Sequence, residues 1–311
     1  MNDSLMNDSL MNESLMNDSL MNESRINDSL LNESIVARMR FLPASQRGGA
    51  VRRADLRAPS GGEAEVEATE VAVLNARDST GLGLHSSGFE LVRAPSAVAD
   101  FYDCDRVMAT YYDECKAIAK DFTGAHTTFT YDHIIREPGV QFSGGGKDGS
   151  QRQSGVDRGG GYIGSVHMDY TDNTTWDRYL SLHGECVPDN ANRVYSLNFW
   201  RPLSQTVDDH PLAVCDARTV RRDDLRETVI YGYGAENYSW HDIGIETFSV
   251  CESEHQRWYY YPDMTTDDVL VIKSFDSEGV IGNACPHAAF AHPNPAGVER
   301  RSIELRVLCF S

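Results

Sequence analysis

The feature that most limits the fold is a series of short stretches in which apolar and polar residues alternate. Alternation with a period of two is typical of β-strands, whose successive side chains point to opposite faces. Clear helical spacing is confined to residues 95–122, with Ser96 as the candidate cap. A doubly wound α/β fold needs helices between its strands, so we predict a mainly β sandwich or barrel with flanking helices. The predicted strands are 65–74, 127–136, 193–203, 212–216, 258–262, 269–275 and 301–310.

The 311 residues divide by composition into three parts. Residues 1–35 repeat a five-residue unit of the type MNDSL, which makes no continuous apolar stripe on a helix and predicts disorder. Residues 36–62 are rich in Arg, Gly, Ala and Pro and read as a linker. Residues 63–311 are then the folded domain, which is long enough for one barrel or sandwich.

Charge and cysteine content restrict the partners and the compartment. The formal net charge of −19 argues against binding to nucleic acid or to an anionic membrane. No apolar run approaches the roughly 20 residues that cross a bilayer, and no secretory signal is seen at the N-terminus. The seven cysteines form no CxxC pair, which indicates reduced thiols and a cytoplasmic protein. The sequence leaves the oligomeric state open.

Three residues suggest a metal site. His167 and Asp169 are two positions apart, so on a strand both side chains would point to the same face. His287 follows Asp169 by 118 positions (287 − 169). Two nearby ligands and one remote ligand fit a double-sheet jelly roll, and two His with one carboxylate is the ligand set of non-haem iron(II) oxygenases. A lone His-x-Asp pair is also common as surface charge, so the interpretation depends on all three residues.

A cationic group follows the second histidine. Arg300, Ser302 and Arg306 fall on one face of the last predicted strand. A guanidinium pairs with a carboxylate through two parallel hydrogen bonds, so this face predicts an anchor for a dicarboxylate. Spacing leaves open which arginine is the anchor, and an edge strand decorated with charge is the structural alternative.

Seven motifs, taken in order, support a resemblance that covers residues 65–311. They are HMDYT (167–171), LNFWRPL (197–203), PLAVCD (211–216), RWYYYP (257–262), KSFDS (273–277), PHAAF (286–290) and RSIELR (301–306). The chain resembles the asaB-like hydroxylase/desaturase family, which is related to CmcJ-type proteins of fungal secondary metabolism. The resemblance implies a double-stranded β-helix (jelly-roll, cupin-like) core, Fe(II), 2-oxoglutarate and O2. It matches His167, Asp169 and His287 to the catalytic metal ligands, and Arg300, Ser302 and Arg306 to the co-substrate site.

We therefore predict an iron(II)- and 2-oxoglutarate-dependent hydroxylase/desaturase that acts on a small molecule. Hydroxylation, desaturation and cyclisation remain open. The alternatives are a cupin-like metal enzyme without redox chemistry, such as a hydrolase or isomerase, and a catalytically silent jelly-roll binding module. Core packing explains the candidate substrate-binding residues at least as well; these are Asn198, Trp200, Arg201, Arg257, Trp258 and Tyr260.

Overall fold

A computed structural model describes residues 34–55, 66–138, 157–160, 162–181, 183–205, 207, 209–232, 244–279, 284–295 and 297–311. Two β-sheets, one of nine strands and one of six, form the fold, and most neighbouring strands are antiparallel. The strands are β1 Ser34–Phe41, β2 Arg52–Asp55, β3 Glu67–Asn75, β4 Phe89–Arg93, β5 Thr127–Arg136, β6 Asp157–Gly160, β7 His167–Met168, β8 Val194–Pro202, β9 Leu212–Cys215, β10 Leu225–Tyr231, β11 Ile245–Val250, β12 Trp258–Tyr260, β13 Asp268–Asp276, β14 His287–Ala289 and β15 Ser302–Phe310.

The six-stranded sheet, called the small sheet below, has the order β4-β13-β8-β15-β5-β6. A helical segment covers one of its faces, which we call the outer face. The segment runs through α1 (Cys104–Arg106), a π-helical stretch (Val107–Tyr111) and α2 (Tyr112–Thr123). Alternate residues of the central strands meet this segment, because successive side chains of a strand point to opposite sides. The resulting apolar cluster includes Leu197, Phe199, Leu305, Val307, Tyr111 and Cys115.

The other face of the small sheet, called the inner face, carries polar residues at the intervening positions. On β8 and β15, Asn198 lies opposite Arg306, and Trp200 lies opposite Glu304. These side chains point away from the helical segment, since their neighbours in sequence pack against it. The strands therefore separate an apolar outer face from a polar inner face.

The nine-stranded sheet, called the large sheet, has the order β1-β3-β12-β9-β14-β7-β11-β10-β2. Strand β1 also forms single bridges to residues beside β14 and β7, and Leu42, which follows β1, bridges to Cys251 after β11. A second apolar cluster packs against this sheet. Strands β7 and β14 are neighbours near the middle of this sheet. Two sheets of mainly antiparallel strands, with remote segments adjacent, confirm the predicted jelly-roll fold.

Two boundaries differ from the expectations. Residues 36–62 are not simply a linker, because β1 pairs with β3 over its whole length and β2 pairs with β10. The helical segment begins after its cap Asp103, whose side chain accepts from the backbone N–H of Arg106, rather than at Ser96. Ser96 instead donates to Glu114 from a loop. The repeat up to residue 33 lies outside the described residues. A third helix, α3, spans Trp176–Ser181.

Among the residues that the structure describes, no helix is both long enough and apolar enough to cross a membrane.

Candidate active site

Strand pairing in the large sheet brings the three predicted metal ligands together. His287 on β14 lies directly opposite His167 on β7, and their ring centroids are 4.6 Å apart. Asp169 follows β7, and its Oδ1 lies 3.5 Å from Nε2 of His167. One donor atom from each of the three residues lies within 4.8 Å of the others. This convergence of residues 118 positions apart (287 − 169) is what the sequence interpretation required.

Both histidines are fixed in the same tautomer by the backbone. Nδ1 of His167 lies 2.8 Å from the carbonyl oxygen of Ser165, and Nδ1 of His287 lies 3.1 Å from that of Cys285. A carbonyl only accepts, so each Nδ1 carries the proton and each Nε2 offers a lone pair. Metal-binding histidines are oriented in this way. The two Nε2 atoms and one carboxylate fit a divalent transition metal when both imidazoles are neutral.

Asp169 is held in its ionised form. Burial by itself raises its pKa, but the hydrogen bond with His167 and the charge of Arg306 bring the pKa well below its usual value. Asn198 donates from Nδ2 to Oδ2 of Asp169 at 2.5 Å, and Arg306 Nε lies 3.9 Å from the same oxygen. The small sheet therefore supplies the groups that orient a carboxylate of the large sheet.

The two imidazoles differ in their pKa. Burial lowers the pKa of His167, but contact with Asp169 outweighs it and the net pKa is raised. Burial and the nearby charge of His167 lower the pKa of His287. The neighbouring carboxylate and the neighbouring imidazole therefore shift the pKa values of the two histidines in opposite directions.

A pocket opens beside these residues, with about 420 Å³ of empty space that includes open solvent. Part of its wall is apolar, which suits an organic ligand and limits the access of water. The apolar side chains are Ile163, Trp200, Leu212, Ile272, Ala288 and Ala289. The polar lining comprises His167, His287, Asn198, Arg136, Arg300 and Glu304.

Arg300 is a buried cation with incomplete pairing. Its side chain is 1% exposed and lies between two rings, with its guanidinium carbon 4.1 Å from the centroid of Tyr162 and 5.3 Å from that of Trp200. Its Nε has no hydrogen-bond acceptor among the described residues. Burial lowers the pKa of Arg300 to about 10, and nearby Arg136 acts in the same direction. A buried cation of this kind is suited to an anionic ligand.

Ser302 adds a second donor on the same face. Its hydroxyl is fully buried and, within the described part of the chain, has no hydrogen-bond partner. Arg306 differs, because its Nη2 donates to Oε1 of Glu304 at 2.6 Å. The structure thus distinguishes two arginines that spacing alone left equivalent.

Sequence reasoning did not identify Arg136, Tyr162 or Glu304. Arg136 ends β5 opposite Ser302, lines the pocket and lies 3.6 Å from Glu304. Only the pairing of β5 with β15 brings it there. The period-two spacing from Ser302 to Arg306 did contain a signal for Glu304, which lies midway between them on the same face.

Several predicted substrate-binding residues lie elsewhere. Arg201 is on the outer face of the small sheet, where it donates to Tyr111 and to the carbonyls of Thr266 and Ala94. Its guanidinium thus joins the helical segment to the sheet, which corrects the prediction of a substrate contact.

The residues of β12 also require a correction. Trp258 and Tyr260 belong to the apolar cluster of the large sheet, while the intervening Tyr259 packs in the cluster that includes Trp200. Arg257 is exposed. Of the six predicted substrate residues, the pocket brings together Asn198 and Trp200.

A jelly roll that joins two histidines and an aspartate beside a pocket is the arrangement of non-haem iron oxygenases. Comparison with known proteins agrees with this class. The family described as Oxidoreductase/YMDC permease-like domain matches residues 48–310. The hydroxylase/desaturase efuI of Hormonema carpetanum is 32% identical over 247 residues, which cover 77% of this chain and 83% of that protein.

Two further comparisons concern one enzyme. The Fe(II)/2-oxoglutarate-dependent dioxygenase nvfI of Aspergillus novofumigatus is 32% identical over 248 residues, covering 75% of this chain and 79% of that protein. The solved structure of the iron and alpha-ketoglutarate-dependent endoperoxidase NvfI shares the fold, with a TM-score of 0.66, 24% identity, and coverage of 90% of this chain and 99% of that one. The chain therefore belongs to the hydroxylase/desaturase family of iron(II)- and 2-oxoglutarate-dependent oxygenases. This membership favours the oxygenase over the two alternatives considered from sequence.

Proposed function

We propose that this protein oxidises a small organic molecule in secondary-metabolite biosynthesis, using Fe(II), 2-oxoglutarate and O2. His167 and His287 bind the iron through Nε2, and Asp169 binds it through its carboxylate. The observation that carries the proposal is the convergence of these donors within 4.8 Å, with both Nδ1 atoms directed to backbone carbonyls.

The distal carboxylate of 2-oxoglutarate is bound by Arg300, with the hydroxyl of Ser302 as a second donor. Supporting this choice over Arg306 are the buried Nε of Arg300 and the buried hydroxyl of Ser302, neither of which has an acceptor among the described residues. The rings of Tyr162 and Trp200 hold the guanidinium in place. A dicarboxylate would supply a negative charge to this buried cation.

The bound metal and co-substrate supply the oxidising chemistry, in which O2 is consumed as 2-oxoglutarate loses CO2 and becomes succinate. The chain contributes orientation and exclusion of water. Asn198 holds one oxygen of Asp169 and so turns the other towards His167. The apolar residues Ile163, Leu212 and Ile272 limit the water around the reacting atoms.

The test is anaerobic addition of Fe(II) and 2-oxoglutarate to the purified protein. We expect a visible charge-transfer absorption that requires both additions, is lost in His287→Ala, and is followed by succinate formation when O2 is admitted. A band of equal strength in His287→Ala would remove the proposed metal site. In a parallel titration, Arg300→Gln should weaken 2-oxoglutarate binding at least about tenfold, the value of one charge-assisted pair.

We also propose that the protein works in the cytoplasm. All seven cysteines are free thiols, and five of them are buried, as expected in a reducing compartment. Localisation of a fluorescently tagged chain in its own host tests this, and retention in a secretory organelle would contradict it.

A further inference from the structure

Glu304 is a partly buried carboxylate that links two arginines at the edge of the proposed metal site. Its Oε1 accepts from Nη2 of Arg306 at 2.6 Å, and its Oε2 lies 3.6 Å from Nη2 of Arg136. The side chain of Glu304 is only 13% exposed and lines the same pocket as His167 and His287. An acidic group here is unexpected for a pocket that receives a dicarboxylate, because it repels such a ligand.

The position of Arg306 suggests why the acid is present. Its Nε lies 3.9 Å from Oδ2 of Asp169, while its Nη2 is in hydrogen-bond contact with Glu304. One guanidinium therefore lies between two carboxylates, and the contact with Glu304 is the closer. Arg306 and Asp169 are about 10% exposed, so a direct ion pair between them would be only weakly screened.

We propose that Glu304 is a positioning residue that holds Arg306 away from Asp169 and so leaves this carboxylate free to bind the metal ion. The proposal rests on the proposed function, in which Asp169 is a metal ligand. Glu304 lies outside the cluster of possible metal donors. It acts by giving the guanidinium of Arg306 a carboxylate partner other than Asp169.

The consequence for metal binding follows from competition. Without the charge of Glu304, Arg306 needs only a small movement to form a hydrogen-bonded ion pair with Asp169. A metal ion must then break that pair before it binds the carboxylate. We expect Glu304→Gln to weaken metal binding about tenfold to a hundredfold, the usual range for charge-assisted hydrogen bonds and for groups that orient metal ligands.

The experiment is a titration of the full chain with Mn(II), without 2-oxoglutarate, in which free Mn(II) is measured by electron paramagnetic resonance. Wild type and Glu304→Gln are compared with two double variants. Glu304→Gln with Arg306→Gln removes the competing guanidinium and should restore most of the affinity. Glu304→Gln with Arg136→Gln removes an equal charge from the other side of Glu304 and should not restore it.

The outcomes separate the possible roles. Equal rescue by both double variants would show that Glu304 acts only as a nearby negative charge, which overturns the proposal. An unchanged Mn(II) affinity in Glu304→Gln also overturns it. If wild type binds no Mn(II), or if His167→Ala binds it equally well, the proposed metal site fails instead. Should Glu304→Gln not fold, Glu304→Asp keeps the charge but shortens the side chain, and the same loss and rescue are expected.

Discussion

The two faces of the small sheet come from the same strands but have opposite properties. On β8, Phe199 is fully buried against the helical segment, while its neighbour Asn198 donates to Asp169 on the other side. On β15, Leu305 packs outward between Glu304 and Arg306, which point inward. Residues that pack in the core and residues that face the proposed site thus alternate along one strand, because successive side chains point to opposite faces.

Two arginines sharpen this comparison. Arg201 and Arg300 are each 1% exposed. On the outer face, Arg201 donates to a tyrosine hydroxyl and two backbone carbonyls. On the inner face, Arg300 is held by ring faces, and its Nε has no acceptor among the described residues. A buried cation with its donors paired supports the fold, whereas one with a free donor indicates a binding site.

The largest effect is expected where the inner face meets the large sheet. His167→Ala or Asp169→Ala should lower succinate production by more than about a hundredfold, because each removes a proposed metal ligand, and even outer groups around metals are worth 10- to 100-fold. The fold should change little, as measured by circular dichroism and the thermal midpoint. Full activity in either variant would exclude that residue from the metal site.

Neighbouring residues of β8 provide the next test. Phe199→Ala should lower the free energy of unfolding by about 3–5 kcal/mol, since it leaves a cavity under the helical segment. Asn198→Ala should instead weaken metal binding about 10- to 100-fold, because Asp169 loses its orienting donor. Urea unfolding and Mn(II) titration of both variants measure the contrast. If both variants lose mainly stability, the two faces are not functionally distinct.

The two arginines should also respond differently. Arg201→Met should cost about 2 kcal/mol of stability, because it leaves buried carbonyls unpaired. Arg300→Met should leave stability equal or higher, since replacing a poorly paired buried charge by an apolar group is often stabilising. It should nevertheless weaken 2-oxoglutarate binding. Denaturant midpoints and 2-oxoglutarate titrations of the two variants provide the measurement, and a reversed pattern would contradict the assignment of Arg300 as the anchor.

The smallest effect concerns a paired charge near the end of the small sheet. Arg193 donates through two nitrogens to Asp276 at 2.7 and 2.8 Å. Burial raises the pKa of Asp276, but Arg193 brings it below its usual value overall. We expect Asp276→Asn to cost about 1 kcal/mol at neutral pH.

The sign of the pH dependence follows from this lowered pKa. The contribution of Asp276 is complete above its unfolded pKa of about 3.9 and is lost as the pH falls through the lower folded value. The stability difference between wild type and Asp276→Asn should therefore be constant from about pH 7 to 5 and decrease below about pH 4. Denaturant unfolding curves of both proteins across this pH range measure the difference. A difference that grows on acidification would contradict the lowered pKa of Asp276.

The sequence predicted the interior strands better than the edges. Strand β5 coincides with the predicted range, and β8, β13 and β15 differ from theirs by one residue at one or both ends. These strands have clear apolar positions against the helical segment. Strands β1 and β2 were missed because their residues are rich in Arg and Ala, and they are fixed by pairing with β3 and β10 rather than by their own alternation.

Site residues were predictable from the sequence where two of them lie close together on the same strand. His167 with Asp169, and Arg300 with Ser302, follow from period-two spacing together with the family resemblance. The side chains of β12 were not predictable in this way. Trp258, Tyr259 and Tyr260 are all aromatic and all buried, so the sequence does not reveal on which side of the sheet each of them packs. Arg136 required the cross-strand register, which a single sequence does not contain.

The orientation of each ligand histidine is fixed by a hydrogen bond from its Nδ1 to the backbone carbonyl oxygen two residues earlier in the chain. Many metal sites use an aspartate or glutamate for this purpose, and such a partner can be mutated or protonated. A main-chain oxygen is present whatever side chain stands at positions 165 and 285. A substitution at position 165 or 285, or a fall in pH, therefore leaves the orientation of both imidazoles unchanged as long as the two extended segments keep their backbone conformation.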